Sequence, residues 1–206
     1  MYQYQKFWDR IANKYAKTPI KDQHAFNAMV ENIRKFIKED DVVFDFGCGT
    51  GTYSIAVSDS VKSIHATDIS EKMLAIARSR SQEKDICNIT FEQIGIFDTK
   101  FLPESYDVVL AFNILHLQQD LPKTLQRIYE LLTPGGLLIS KTVCASESFS
   151  LPLLLLRPFS KLGLLPYVSC FSYTQLQELI TQQHMKILEK KPNYKGSMEY
   201  FIVAEK

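Results

Sequence analysis

The sequence predicts an α/β fold: a doubly wound, seven-stranded, mostly parallel sheet with one antiparallel edge strand and helices on both faces. Three observations support this prediction. Short β-branched and aromatic segments alternate with helical patterns, a glycine-rich stretch follows the first predicted strand, and no helix separates the last two predicted strands. Strands joined through helices run parallel, whereas directly connected strands pair antiparallel.

Length and charge set the broad class of the protein. Its 206 residues, 46% of them hydrophobic, predict one domain spanning residues 1–206. The 24 basic and 23 acidic side chains nearly cancel, which argues against a nucleic-acid partner that needs a broad basic surface. The N-terminus lacks the apolar region of a signal peptide, so we expect a cytoplasmic protein. Four irregularly spaced cysteines without a CxxC pair predict free thiols and no metal site.

The first half of the chain supplies three of the strands. A helix with apolar residues at helical spacing begins near Phe26 and precedes the buried strand "VVFDF". The segments "SIHAT" and "NITFEQI" are the next predicted strands. Ser70 is placed to cap the helix between them, because its hydroxyl can accept from a free amide of the first turn.

The second half supplies the remaining four strands. "YDVVLAF" and "LLISKTV" flank a helix that opens at Asp120 and ends at "TPGG". Thr174 and Gln177 have the spacing of a capping box for the last helix. The final strands are "MKILEK" and "EYFIVAE", which we expect to pair antiparallel at one edge.

The stretch "VVFDFGCGTGTYS" has three glycines at alternate positions directly after a strand. Gly47, Gly49 and Gly51 allow unusual backbone conformations and leave no side chains in the way of a ligand. A strand-loop-helix unit places this loop at the carboxyl end of the sheet, where ligands bind. Thr52 occupies the third-glycine position of the G-x-G-x-x-G pattern, which disfavours a dinucleotide.

Two acids narrow the class of ligand. Asp45 would repel a pyrophosphate but suits a cationic group. Asp68 follows the second predicted strand and can accept hydrogen bonds from both ribose hydroxyls. An adenosine with a cationic tail and no phosphates satisfies both acids, and S-adenosylmethionine is such a molecule.

These motifs resemble the class I S-adenosylmethionine-dependent methyltransferases of the small-molecule type. The resemblance rests on four blocks in order: "VVFDFGCGTG", "IHATDISEKMLAIAR", "YDVVLAFNILHL" and "LLTPGGLLISKTV". It covers residues 40 to 143 closely and both ends loosely. It implies a sheet of six parallel strands and one antiparallel strand.

The resemblance also implies a cofactor site. Asp45 would orient the loop, and Asp68 would hold the ribose. The remaining expected cofactor-binding residues are Gly47, Cys48, Gly49, Ile69, Met73, Ile96, Phe97, Asp98 and Asn113. In the family an acid that contacts the adenine amino group should fall at residue 95, which is glycine here. Asp98 is the alternative ligand for that group, or else a solvated acid.

Three residues are candidates for the chemistry: Asn113, His116 and Tyr15. Asn113 follows the fourth strand and would lie beside the sulfonium, and His116 is either a general base or a structural or substrate-contacting residue. Tyr15, with Trp8, lies in an N-terminal helical stretch that resembles a lid (residues 1–38), and ordinary core packing is the alternative for Trp8. Lys141 and Thr142 are expected to face the ligand side of the sheet.

Residues 144–172 form an apolar insertion that we expect to cap the substrate pocket. Its leucine-rich core, Leu151–Val168, predicts a pocket wall, with a buried helix or weak membrane-surface contact as alternatives. Three prolines and Arg157 exclude a membrane-spanning helix. The sequence thus predicts methyl transfer from S-adenosylmethionine to a small apolar or aromatic molecule. A non-catalytic binder of S-adenosylmethionine is the alternative from another class, and a nicotinamide-dependent oxidoreductase is disfavoured.

Overall fold

The structure is a computed structural model that describes residues 3–20, 22–144, 165–193 and 197–206. Most of the predicted substrate cap, residues 145–164, therefore lies outside the described residues. None of the helices in the described parts is long and apolar enough to span a bilayer. Within those parts, no group of three or more acidic, histidine or cysteine side chains could hold a metal ion.

Seven strands and six α-helices make up the described chain. The strands are β1 (Val42–Phe46), β2 (Ser63–Thr67), β3 (Ile89–Glu92), β4 (Tyr106–Phe112), β5 (Leu132–Val143), β6 (Lys186–Pro192) and β7 (Glu199–Glu205). The helices are α1 (Gln5–Lys17), α2 (Gln23–Arg34), α3 (Thr52–Val57), α4 (Glu71–Gln82), α5 (Leu121–Leu131) and α6 (Tyr173–Gln182). Two 3₁₀ turns cover Ser58–Ser60 and Leu115–Leu117.

The sheet confirms the predicted fold class. Its strand order is β3-β2-β1-β4-β5-β7-β6, and β1 to β5 pair in parallel. β7 pairs antiparallel with both β5 and β6, so it is the strand that runs against the other six, with β6 outside it at the edge. The antiparallel pair therefore closes one side of the sheet, as the missing helix between the last two strands predicts.

Helices cover both faces of the sheet. One face buries the apolar side of α5 and α6, including Leu125, Ile128 and Leu176. The other face packs against α2 and α3 through Ile33 and Val57. Because both faces are covered, the central strands β1 and β4 consist mostly of apolar residues, whereas the edge strand β6 is largely polar and alternates in exposure.

Side-chain caps set most helix starts. Ser70 accepts from the Met73 amide at the start of α4, and Asp120 accepts from the Lys123 amide at the start of α5, as predicted. The predicted capping box at Thr174 is wrong. The cap lies two residues earlier, where Ser172 and Gln175 exchange side-chain-to-backbone bonds. Both spacings satisfy the same S/T-x-x-Q pattern, so the sequence alone did not separate them.

Strand β5 is longer than predicted. The helix before it ends at Leu131, and "TPGG" lies inside the strand range instead of forming a separate turn. Gly135 has a φ of 78°, and the pairing with β4 shifts register between Tyr106 and Val108, so this part of the ladder is irregular. The irregularity lies at the amino end of the strand, opposite the end that carries the predicted site.

Candidate active site

All predicted site residues lie around one open cavity of about 2010 Å³ at the carboxyl ends of the parallel strands. These residues are Tyr15, Asp45, Gly47, Cys48, Gly49, Asp68, Ile69, Met73, Ile96, Phe97, Asp98, Asn113 and His116. The sheet explains why they meet: β1, β2 and β4 are parallel neighbours, so the segments that follow them emerge at the same edge.

The glycine loop needs glycine for two different reasons. Gly47 has a φ of 71°, and a Cβ there would lie 2.7 Å from side-chain atoms of Ile114. Gly49 also has a positive φ, of 56°, but a Cβ would point into open space. Gly47 thus permits close packing with the loop that follows β4, while the surface at Gly49 stays free for a ligand.

Asp68 is held by the backbone of that loop. One carboxylate oxygen accepts from the Gly49 amide at 2.9 Å and the other from the Ser70 amide at 2.8 Å. A carboxylate has about four acceptor positions, so Asp68 keeps acceptor capacity for a further donor. Burial raises the pKa of Asp68 to about 6, although these hydrogen bonds oppose the shift.

Asp45 is the more deeply buried of the two acids. Its carboxylate is 2% exposed and accepts a hydrogen bond from the Ser54 hydroxyl of α3. Burial raises its pKa to about 7, against the opposing effect of that hydrogen bond, and the nearby Asp68 raises it further. Burial likewise raises the pKa of the Cys48 thiol well above its usual range, so this cysteine stays neutral and fills space.

The segment after β3 forms the opposite end of the cavity. Met73 and Ile96 are buried there, whereas Phe97 is 49% exposed, with the Lys123 ammonium 5.3 Å from its ring centre. Asp98 is exposed, and its carboxylate accepts from the Lys100 amide at 2.9 Å. Asp98 lines the cavity, but its side chain is used in a local turn, so its role toward adenine stays a prediction.

Asn113 and His116 follow β4. Asn113 has a φ of 56°, and its amide donates to the Lys141 carbonyl at 2.7 Å. Its side-chain Oδ1 and the His116 Nδ1 are both buried without a hydrogen-bond partner among the described residues. Buried polar atoms usually have hydrogen-bond partners. Because these two atoms lack one and belong to residues of the cavity wall, they are available to a ligand.

The N-terminal helix is tied to the cofactor side of the cavity at both ends. Asp9 accepts from the Ser70 hydroxyl at 2.6 Å, at the start of α4. Arg80, also on α4, donates to the Ala16 carbonyl at 2.8 Å and to the Thr50 hydroxyl in the glycine loop at 2.9 Å. These contacts have no local signal in the sequence, because their partners are 30 to 64 residues apart.

Tyr15 projects from α1 into the cavity. It is 48% exposed, and partial burial between the cavity walls raises the pKa of its phenol, while the nearby Lys141 ammonium opposes that shift. Trp8 also lines the cavity and packs edge-on against Phe7 at 5.2 Å. The two aromatic side chains therefore combine a packing contact with access to the cavity.

Beyond Asn113 the cavity continues into what we call the acceptor chamber, formed by Tyr53, Phe112, Lys141, Val143 and Glu199. The rings of Tyr53 and Phe112 stack at 4.2 Å. The Lys141 ammonium lies 3.4 Å from a Glu199 oxygen. Sequence reasoning missed Tyr53, Phe112 and Glu199. Tyr53 and Phe112 lie within the quoted motifs but are not among the residues that the resemblance assigns to the site, and Glu199 lies outside the motifs.

Thr142 does not share the chamber. It is fully buried and absent from the cavity wall, while its neighbours on both sides line it. Successive residues of a strand point to opposite faces, so the expectation that Lys141 and Thr142 both face the ligand is wrong for Thr142.

These features fit S-adenosylmethionine. Asp68 keeps free acceptor positions, the surface at Gly49 is open, and two acids near the loop suit the cationic amino and sulfonium groups. The residues that would hold it are Asp45 and Gly49 for the methionine part and Asp68 for the ribose. Ile69, Met73 and Ile96 would surround the adenine.

Comparisons with known proteins agree with this geometry. A family model described as a methyltransferase domain matches residues 37–197. The demethylmenaquinone methyltransferase of Lactococcus lactis subsp. lactis (strain IL1403) is 33% identical over 109 residues, which cover 52% of this chain and 42% of that protein. The chain spans less than half the length of the first curated relatives that it matches.

Two solved structures share the fold. A Haloferax volcanii protein solved in complex with the Trm112 methyltransferase activator has a TM-score of 0.78 at 18% identity, with 96% of each chain covered. The geranyl diphosphate C-methyltransferase of Streptomyces coelicolor A3(2), solved with S-adenosyl-L-homocysteine, has a TM-score of 0.71 at 12% identity, covering 98% of this chain and 96% of that one. The family match spans most of the chain, and the sheet and site agree with it: the chain belongs to the class I methyltransferase family, whose cofactor is S-adenosylmethionine.

Proposed function

We propose that this protein transfers the methyl group of S-adenosylmethionine to a small apolar or aromatic molecule by in-line displacement. The observation that carries the proposal is the continuity of the cavity. It runs from the segment after β3, past Asp68 and the glycine loop, into the acceptor chamber with its stacked Tyr53 and Phe112 rings. A cofactor and a flat second molecule can therefore lie in one cavity with their reacting ends adjacent.

The cofactor, when bound, supplies an electrophilic methyl group. The residues of this chain hold the reactants in line and exclude water, which lowers the entropic part of the barrier. Asp45 and Asp68 fix the cofactor at the loop, and Asn113 lies at the junction with the acceptor chamber. The aromatic pair at Tyr53 aligns an unsaturated acceptor.

His116 is proposed as a contact to the acceptor, and as a general base where the acceptor loses an O–H or N–H proton. Burial lowers its pKa, opposed by the nearby Glu199 carboxylate, so the imidazole is neutral at pH 7. Its Nδ1 has no hydrogen-bond partner among the described residues. The backbone carbonyl of His116 accepts from Ser169, which links it to the described end of the predicted substrate cap.

Several finer assignments belong to the same proposal. Residues 1–38 act as a lid over the cofactor, supported by the contacts of Asp9 and Arg80, and residues 144–172 cap the acceptor. The partner is a small molecule rather than nucleic acid, in keeping with the near-neutral charge, and we place the protein in the cytoplasm. The relatives named above act on demethylmenaquinone and geranyl diphosphate, two small molecules with unsaturated apolar chains, although the second also carries a charged diphosphate; the first supports this class of acceptor.

Calorimetric titration followed by a transfer assay tests the proposal. We expect S-adenosylmethionine and S-adenosylhomocysteine to bind, and NAD not to bind. Extracts incubated with the protein and methyl-labelled cofactor should then yield a labelled small molecule, with no label in nucleic acid. Binding without transfer to any fraction would favour the non-catalytic binder, and binding of NAD alone would refute both functions.

A further inference from the structure

The Lys141 side chain is unusual among the polar groups of the acceptor chamber. It is only 10% exposed, and its ammonium lies 5.6 Å from the centre of the Tyr53 ring. In the part of the chain that the structure describes, the ammonium has one ion-pair partner, Glu199 at 3.4 Å, and no hydrogen bond. An ammonium has three donors, so this buried group keeps donors available on the cavity side.

Glu199 is fixed in place by its neighbour. The same Glu199 oxygen that faces Lys141 accepts from the Asn193 side-chain amide at 2.8 Å, and the Asn193 backbone amide donates to the Glu199 carbonyl at 2.8 Å. The carboxylate is thus held beside Lys141 before any acceptor arrives. The pair presents a strong donor to the chamber while carrying no net charge.

The neutrality of the Lys141–Glu199 ion pair determines which kind of ligand atom Lys141 can bind favourably. A carboxylate placed on Lys141 would lie close to Glu199 and leave a net negative charge beside an ammonium that is only 10% exposed. A neutral carbonyl oxygen would gain a charge-assisted hydrogen bond without that penalty. Tyr53 and Phe112 stack on each other and form an aromatic wall of the cavity beside the ammonium, against which a flat group attached to the carbonyl can pack.

We propose that the methyl acceptor is a neutral carbonyl compound with a flat unsaturated body, whose carbonyl oxygen accepts a hydrogen bond from the Lys141 ammonium beside Tyr53. This assignment rests on the proposed function, because it names the acceptor class of the same cavity. It makes Lys141 a determinant of acceptor specificity, and it makes Glu199 the group that selects against anionic acceptors.

Three probes of similar size test the proposal on protein saturated with S-adenosylhomocysteine: acetophenone, its oxygen-free counterpart ethylbenzene, and benzoate. Ligand-observed NMR titrations measure their dissociation constants. We expect acetophenone to bind about tenfold more tightly than ethylbenzene, and benzoate to bind weakly. Lys141→Met should abolish the advantage of acetophenone and leave ethylbenzene unchanged. Lys141→Arg should restore most of it, and Glu199→Gln should strengthen benzoate binding.

Equal binding of acetophenone and ethylbenzene to the unaltered protein would overturn the proposal, as would benzoate binding most tightly or none of the probes binding. Unchanged acetophenone binding in Lys141→Met would also overturn it. S-adenosylhomocysteine affinity, measured for each variant, shows that the fold and cofactor site are intact. Loss of cofactor binding by the unaltered protein would instead refute the proposed function.

Discussion

Replacing Asp45 by Asn should stabilise the protein without cofactor at pH 8 while weakening cofactor binding. The Asp45 carboxyl has a pKa of about 7 in the folded protein, against 3.8 for an ordinary aspartate, because it is buried. The folded state therefore binds more protons than the unfolded state between these values. The stability that the protonated Asp45 carboxyl contributes is complete below pH 3.8 and is lost as pH rises through 7. At about 1.4 kcal/mol per pH unit, that loss is at most about 4 kcal/mol.

Thermal unfolding followed by circular dichroism between pH 4 and 8 measures the effect. At roughly 2–4 °C per kcal/mol for a domain of this size, Asp45→Asn should raise the melting temperature at pH 8 by about 10 °C. The gain should shrink toward pH 4, and calorimetry should show about tenfold weaker binding of S-adenosylhomocysteine. Asp40→Asn, at an exposed aspartate, is the matched control and should change neither quantity. If the melting temperatures of the unaltered protein and of Asp45→Asn changed with pH in parallel, this account of the buried acid would be refuted.

Three further predictions concern the cofactor site. Asp68→Ala should weaken S-adenosylhomocysteine binding by tenfold to about a hundredfold in calorimetry. In the unaltered protein, affinity should rise from pH 5 to 7, because ionisation of Asp68 through its pKa of about 6 makes the carboxylate a stronger acceptor for the ribose hydroxyls. An affinity independent of pH would contradict the ribose and charge roles. Gly47→Ala should lower the free energy of unfolding by about 2 kcal/mol, more than the control Gly135→Ala, since both glycines have positive φ but only Gly47 lacks space for a Cβ. Equal losses in urea titrations would count against the packing argument. Arg80→Met should increase hydrogen exchange in α1 and weaken cofactor binding, because Arg80 contacts the end of that helix. Arg78→Met is the control and should do neither, since Arg78 lies on the same helix but its contacts do not reach α1. Unchanged exchange in α1 of Arg80→Met would show that Arg80 does not hold the lid.

The sheet could be predicted because each strand carries its own local signal. Apart from Asp45 and Asp107, "VVFDF" and "YDVVLAF" consist of apolar and aromatic residues, as expected for strands covered on both faces, and the missing helix before "EYFIVAE" indicated the antiparallel pair. Boundaries were less predictable. Ser172 and Thr174 both begin a pattern that can cap a helix, and the structure has the capping box at the first of them.

The cofactor side of the cavity could be predicted to a greater extent than the acceptor side. Asp45, Gly49 and Asp68 lie in short motifs at the ends of neighbouring strands, so sequence order alone brings them together. Lys141 and Glu199, in contrast, meet through the antiparallel pairing of β5 with β7, across 58 residues of sequence. A contact of that kind has no local signature, which is why Glu199 was missed and Lys141 was expected only to face the ligand side of the sheet.

The two sides of the cavity differ in how their charges are balanced. At the loop, Asp45 and Asp68 are buried with raised pKa values, and their hydrogen bonds come from Ser54 and from backbone amides rather than from a cationic side chain. Their ionisation thus becomes favourable when a cation binds, so cofactor affinity is gained at the cost of stability without it. In the acceptor chamber Lys141 already has Glu199, and the pair is neutral before anything binds. This difference favours a charged ligand on one side and an uncharged one on the other, which supports the proposed transfer of a methyl group from a sulfonium to a neutral acceptor.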